Sequence, residues 1–152
     1  MEKKEIQEQR MRMYFIEATK DLLKGEGLKS VSVRSIADRA GYSFGTLYNY
    51  FKDINDLIFL CVKDFQEECE QFVDARKQNS QPGIESVKKI TKAYVEYFIE
   101  YPGIFELFFL ERMSGMGNKQ PTAELIYSFL DRLCAADWDT AIKVNMGSAE
   151  RA

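Results

Sequence analysis

Between residues 43 and 52 the chain reads Ser-Phe-Gly-Thr-Leu-Tyr-Asn-Tyr-Phe-Lys. On a helix, this spacing turns Leu47, Tyr50 and Phe51 inward and leaves Phe44, Gly45, Thr46, Tyr48 and Asn49 facing outward. The outward set is small, polar or aromatic. Its chemistry is recognition by hydrogen bonds and ring contacts, and it suits close approach to a groove.

The elements that must position this face are readable in the residues before it. Ser32 can cap a first short helix by accepting a backbone N–H bond, and Ile36, Ala37 and Ala40 then share one side of that helix. Ala37 is small where a second helix must cross closely. Gly41 stands where the chain reverses, a position suited to positive φ, which would strain a residue bearing a Cβ. Tyr42 is expected as a buried plug behind the turn, and Ser43 as the cap of the second helix. Two short helices around a tight turn make a helix-turn-helix over Ser32 to Lys52, and this pattern points to DNA. Before it runs a long amphipathic stretch in which Tyr14, Phe15, Ala18, Leu22 and Leu23 recur at helical spacing, until Gly25 and Gly27 end it. A further apolar stretch, Leu57 to Val73, follows.

Charge is divided unevenly along the chain. Residues 1–52 hold ten Lys and Arg against seven Asp and Glu, whereas residues 53–152 hold eleven against seventeen. The half with the motif is therefore the basic half. A local positive face is enough to attract phosphates, and Arg10, Arg12, Lys29, Arg34, Arg39 and Lys52 can build one. Catalysis finds little support. The chain has no histidine, so the commonest general base and neutral metal ligand are missing. No nucleophile elbow, phosphate-binding glycine loop or dinucleotide fingerprint occurs. The acidic pairs Glu67-Glu68 and Asp137 with Asp139 are expected on solvated helix surfaces. Neither an enzyme, nor a metal site, nor a cofactor is expected.

At 152 residues and 45% hydrophobic content, the chain can bury a good core, arranged as a small head and a larger helical body. No stretch approaches the roughly 20 apolar residues of a membrane span. The charged start, Met1 to Glu5, lacks the apolar run of a signal peptide, and a cytoplasmic location without membrane partners is expected. Cys61 and Cys69 stand about 12 Å apart by helix rise, too far for a disulfide. With Cys134 they are expected to be buried structural thiols.

Across its first 60 or so residues the chain resembles the tetracycline-repressor (TetR-type) family of bacterial transcription regulators. The resemblance is carried by Phe15-Ile16-Glu17-Ala18-Thr19, Leu22-Leu23 with Gly27, Val31 to Ala37, Ala40-Gly41-Tyr42-Ser43, and Gly45 to Lys52 with Leu57. It implies an all-α fold with an N-terminal three-helix DNA-binding head, residues 1–52, joined to a helical effector-binding and dimerisation body, residues 53–152. In that family the second helix of the motif lies in the major groove. The resemblance thus makes Ser43, Phe44, Gly45, Tyr48 and Asn49 base-facing, with Asn49 suited to an adenine edge and Phe44 to a thymine methyl. It likens Thr46, Tyr50 and Lys52 to phosphate contacts, and Arg34 to a position that in some members reaches a guanine or a phosphate. Family members continue through two further helices that pair with a partner subunit, and this chain stops soon after Trp138.

Punctuation divides the body into helices. Asn79 to Gly83 ends a long fourth helix, Tyr101-Pro102-Gly103 separates a fifth from a sixth, and Ser114 to Pro121 forms a loop before a seventh. The fourth helix is expected to link head and body. Aromatic residues crowd the fifth and sixth helices, and two readings compete for them: ordinary core or subunit interface, and a largely apolar effector pocket. The pocket reading selects Phe65, Cys69, Tyr94, Tyr97, Phe98, Phe105, Phe108 and Phe109. Glu106 is expected at the solvent-facing position of its helix, and Glu111 and Arg112 at the surface.

These readings converge on a ligand-responsive DNA-binding transcription regulator, a repressor released from its operator by a small molecule. Its expected partners are a palindromic double-stranded operator, a largely apolar effector and a second copy of the chain. The alternative is a helical ligand-binding or interaction protein without sequence-specific DNA binding.

Overall fold

Glycine, proline and capping side chains punctuate the fold nearly where the sequence places them. The computed structural model describes residues 2–110 and 120–151, with side chains described at 2–110 and 124–144. Glu111, Arg112 and most of the loop expected at 114–121 lie outside the described residues. Helix α1 spans Lys3–Glu26, α2 Val33–Ala40 and α3 Phe44–Tyr50, with a single 3₁₀ turn at Leu28–Ser30. The body comprises α4 (Ile54–Arg76), α5 (Ile84–Glu100), the short α6 (Pro102–Phe105), α7 (Gln120–Tyr127) and α8 (Phe129–Arg151). A π-helical turn over Glu106–Leu110 extends α6. No strand occurs among the described residues, and none of their helices is long and apolar enough to cross a membrane.

Two hydrophobic cores share two helices. In the head, Phe15 and Leu22 of α1 meet Ile36 and Ala37 of α2, Leu47 of α3, and Phe51. In the body, Leu23 of α1 joins Phe65 and Cys69 of α4, Ile90 and Tyr97 of α5, Ile104 of α6 and Phe129 of α8. The adjacent pairs Leu22-Leu23 and Leu57-Ile58 divide between the two cores, Leu57 packing in the head and Ile58 in the body. Consecutive residues on a helix point about 100° apart, so α1 and α4 each serve head and body at once.

Backbone closeness and buried charge reinforce this junction. A Cβ on Gly103 would overlap the Leu23 carbonyl oxygen and press on that of Lys24 at 3.0 Å. Glycine is thus what lets α6 lie against the last turn of α1. Nearby, Lys20 of α1 is buried, and its Nζ meets Glu68 of α4 at 2.8 Å, Glu17 at 3.6 Å and Asp64 at 3.7 Å. Lys24 adds a second bond to Glu68 at 3.1 Å. Burial alone would lower the Lys20 pKa, but the hydrogen bond and charge of Glu68, with Glu17 and Asp64, raise it. Desolvation likewise pushes the Glu68 carboxyl up. The bonds and charges of both lysines outweigh it and hold Glu68 below the ordinary carboxylate range.

The body departs from the sequence reading at two points. Asp137 is not a solvated surface acid: it is buried on α8, and its Oδ1 accepts the Gly83 N–H at 3.2 Å. Gly83 has no side chain with which to cap α5, so α8 supplies the carboxylate that the positive end of α5 favours. The C-terminal stretch forms two helices instead of one, parted at Ser128. Both Gln66 Nε2 and Arg132 Nη2 donate to the Leu125 carbonyl at 2.9 Å. That carbonyl would otherwise take the Phe129 N–H in an unbroken helix, so side chains from α4 and α8 occupy the acceptor at the break.

Two outcomes check the junction. Gly103→Ala is expected to lower stability by about 1–3 kcal/mol through overpacking. Gly25→Ala, whose Cβ would meet nothing within 4 Å, should leave stability unchanged or raise it by about 0.5 kcal/mol, both read by urea denaturation. Glu68 contributes stability in full above its unfolded value near 4.5 and loses it as pH falls through the lower folded value. Melting temperature should therefore fall less steeply between about pH 5 and pH 3 in Glu68→Gln than in the parent chain. Parallel acid limbs for the two proteins would remove Glu68 from the pH dependence.

Candidate nucleic-acid interface

Side-chain caps and one left-handed glycine hold the helix-turn-helix. Ser32 Oγ accepts the Ser35 N–H at 3.0 Å while Ser35 Oγ accepts the Ser32 N–H at 2.8 Å, closing a capping box at the start of α2. Gly41 ends α2 at φ +82° and ψ 26°, the left-handed region its sequence position suggests. Ser43 Oγ accepts the Thr46 N–H at 3.1 Å at the start of α3 and lies 2.9 Å from the Thr46 hydroxyl. Ser43 and Thr46 thus have structural work within the motif.

The outer face of α3 is open. Phe44 and Tyr48 are at least half exposed, and Gly45 and Asn49 also face solvent. Arg34 on α2 and Lys52 just beyond α3 are exposed as well. Thr46 and Tyr50 are half-buried, and the Tyr50 ring packs 6.1 Å from that of Phe15. A Cβ on Gly45 would meet only Ser43 Oγ at 3.8 Å. Among the described residues, nothing therefore requires a glycine at this helical position.

Three expected placements change. Tyr42 is not a buried plug: it is 38% exposed, stacked 6.2 Å from Tyr14 and tilted 5.8 Å from Phe15. Tyr14 is half exposed too, because only one of the adjacent pair Tyr14-Phe15 can face the head core and Phe15 fills it. Arg12, read as part of a basic face, instead donates from Nη1 to the Tyr50 carbonyl at 2.8 Å and covers the Phe51 ring. Its signal was present in the spacing, since residues 12, 15, 19 and 22 fall on one helical stripe. Of the remaining basic candidates, Arg39 lies 4.0 Å from Asp21, while Arg10 and Lys29 are exposed.

In the body, Phe98 is the hub of the aromatic cluster, with ring centroids of Tyr94, Tyr97, Phe108 and Phe109 between 4.9 and 5.4 Å away and Phe105 at 6.2 Å. Phe65, Cys69, Tyr97 and Phe108 are buried within the core. Tyr94, Phe98, Phe105 and Phe109, with Val95, Ile99 and Pro102, line an open apolar depression of about 430 Å³. Burial, then the nearby Cys69, pushes the Tyr94 phenol up to about 12, so it remains a neutral hydrogen-bonding group. All three thiols are buried and free, and desolvation raises each, which disfavours the reactive thiolate. Glu106 is exposed, as expected, beside Gly27 and Gly103 at the junction with α1.

Residues 15–61, which contain the whole motif, match the family model for bacterial regulatory proteins of the tetR family. The match covers the motif-bearing head, which is similar to the DNA-binding part of that family. The chain is 24% identical over 125 residues to the fatty acid metabolism regulator protein of Bacillus subtilis, covering 80% of this chain and 63% of that protein. To the HTH-type transcriptional regulator BetI of Cronobacter sakazakii it is 34% identical over 65 residues, covering 43% of this chain and 32% of that protein. The chain thus spans less than two thirds of either relative. A crystal structure of a TetR family transcription regulator from Marinobacter aquaeolei superposes with a TM-score of 0.58 at 18% identity, covering 95% of this chain and 72% of that one. The fold of that structure is therefore shared through the body as well as the head.

Substitution at Gly45 tests whether the open face of α3 is used for recognition. Gly45→Ala is expected to leave melting temperature unchanged or raise it, because alanine is favoured over glycine inside a helix by roughly 0.5–1 kcal/mol. The same variant should bind duplex DNA at least several-fold more weakly, read by fluorescence anisotropy. A clear drop in melting temperature would assign Gly45 to the fold instead.

Proposed function

We propose that this chain is a ligand-responsive, DNA-binding transcription regulator, acting as a repressor that a small, largely apolar molecule releases from its operator. The observation that carries the reading is the outer face of α3, where Phe44, Gly45, Tyr48 and Asn49 stand exposed on a helix capped and packed on its other side. Residues 1–52 act as the DNA-binding unit and residues 53–152 as the effector-binding and dimerisation unit. Ser43, Phe44, Gly45, Tyr48 and Asn49 approach base edges, Thr46, Tyr50 and Lys52 meet phosphates and set register, and Arg34 reaches a guanine or a phosphate. Two copies place their heads on successive major-groove faces about 34 Å apart, which calls for a palindromic operator.

The effector is assigned to the apolar depression of α5 and α6, where Phe98, Phe105 and Phe109 supply ring surface and the Tyr94 hydroxyl a polar handle. Its position supports a route to the head. The same short α6 presents Phe105 to the depression and Gly103 to the last turn of α1. A molecule that binds one setting of α6 better than another biases α1, and release follows only from that difference in affinity. The relative named for regulation of fatty acid metabolism is in keeping with an apolar effector.

Selection from a random-sequence duplex pool, followed by salt titration, tests the reading. The chain should enrich an inverted repeat and lose affinity steeply as salt rises. Lys52→Ala should weaken selected and scrambled duplexes alike, whereas Asn49→Ala should lose about 1–3 kcal/mol of preference at one base pair per half-site. No enrichment by a chain that light scattering shows to be dimeric would favour a helical ligand-binding protein without sequence-specific DNA recognition.

A further inference from the structure

Helix α3 is held at its far end by a residue from another helix. It is seven residues long and has no basic side chain in its last turn, so its own sequence brings no cation to the negative end of its dipole. Arg12, 38 residues earlier on α1, supplies one: Nη1 donates to the Tyr50 carbonyl, the last of α3, at 2.8 Å. The same guanidinium lies over the Phe51 ring, its carbon 4.4 Å from the centroid. Phe51 is buried, and its N–H donates to the Leu47 carbonyl at 2.9 Å, so the ring under Arg12 is continuous with the end of the helix. A planar fork can donate along its edge while stacking through its face, a pairing that an ammonium group cannot reproduce. At the opposite end stands the Ser43 cap. Both ends of α3 are therefore pinned, one by its own chain and one by α1.

We propose that Arg12 is a positioning residue for DNA recognition, fixing the angle of α3 on α1 so that Phe44, Tyr48 and Asn49 meet base edges together. The inference rests on the reading of α3 as the DNA-facing helix. It assigns Arg12 a different role from the phosphate contact that its charge and location in the basic half suggest. A phosphate-binding arginine strengthens binding to any duplex, and its loss reduces the salt slope by about one. A positioning arginine strengthens binding only where several base contacts must form at once, since such contacts tolerate displacements of roughly 0.5 Å.

The test compares Arg12→Met and Arg12→Lys with the parent, all as the full chain, on the duplex that the parent selects and on a scrambled duplex of equal length. Amide hydrogen exchange is followed in parallel without DNA. Arg12→Met should lose about tenfold or more on the selected duplex, as expected for a charge-assisted hydrogen bond, with scrambled binding and salt slope unchanged. Arg12→Lys, which keeps the charge without the plane, should recover only part of that loss. Exchange at Leu47 to Phe51 should speed up in Arg12→Met relative to α5, and Arg12→Lys carries the comparison if the methionine variant fails to fold. Equal losses on both duplexes with a shallower salt slope, full recovery by lysine, or unchanged exchange in α3 would each overturn the proposal. A parent that selects no duplex refutes DNA recognition as a whole, and Arg12 as its positioning residue with it. In that case the exchange data still decide whether Arg12 holds α3.

Discussion

Helix α1 has to satisfy two hydrophobic cores with one rigid rod, and the other elements are arranged around that demand. Phe15, Ala18 and Leu22 close the head while Leu23 enters the body, so the same turns of helix fill both. A helix cannot rotate one residue without its neighbours. Any adjustment that improves packing of Leu23 in the body is felt by Leu22 in the head, and Arg12 carries it on to the end of α3. The buried Lys20 adds directional restraint, since its hydrogen bond to Glu68 and its ion pair with Asp64, both on α4, are met only in a narrow range of α1 positions.

The second restraint is backbone contact. At Gly103, α6 approaches the final carbonyls of α1 more closely than any side chain would permit. Helix–helix contacts made through a missing Cβ leave little slack, because there is no rotamer to adjust. The π turn that follows lets Phe105, Phe108 and Phe109 all gather about Phe98, leaving the exposed edges of that cluster as the apolar depression. The apolar depression of the body and the Gly103 contact with α1 are thus only a few residues apart in the chain. That proximity gives a small displacement at the depression a short mechanical path to α1.

Local structure is the most legible in the residue types. The caps at Ser32 and Ser43, the left-handed Gly41 and the inward Leu47 each depend on atoms within four residues. The outward set of α3 follows from the same helical period. Tyr42 failed as a plug because the space behind the turn was already filled by Phe15, a residue from a different helix. Asp137 failed as a surface acid because its partner, the Gly83 amide, is 54 residues away. For the effector nominees, the aromatic composition was plain, but the division between buried core and open depression was not. Phe98 and Phe108 are both nearly buried, yet only Phe98 borders the open surface.

Residue identity and spacing were enough to establish an all-helical chain, a basic head with a helix-turn-helix, and the side chains that face away from it. Those features arise from periodicity, capping and backbone sterics, which act over a few residues and leave a mark in the order of amino acids. The role of Arg12 at the end of α3, the burial of Lys20, the division of α7 from α8 and the boundary of the apolar depression depend on contacts between distant segments. Each is set by which surfaces meet after the helices pack. A side chain with several donors or a flexible stem can serve solvent, phosphate or a neighbouring carbonyl equally well until that packing selects its partner.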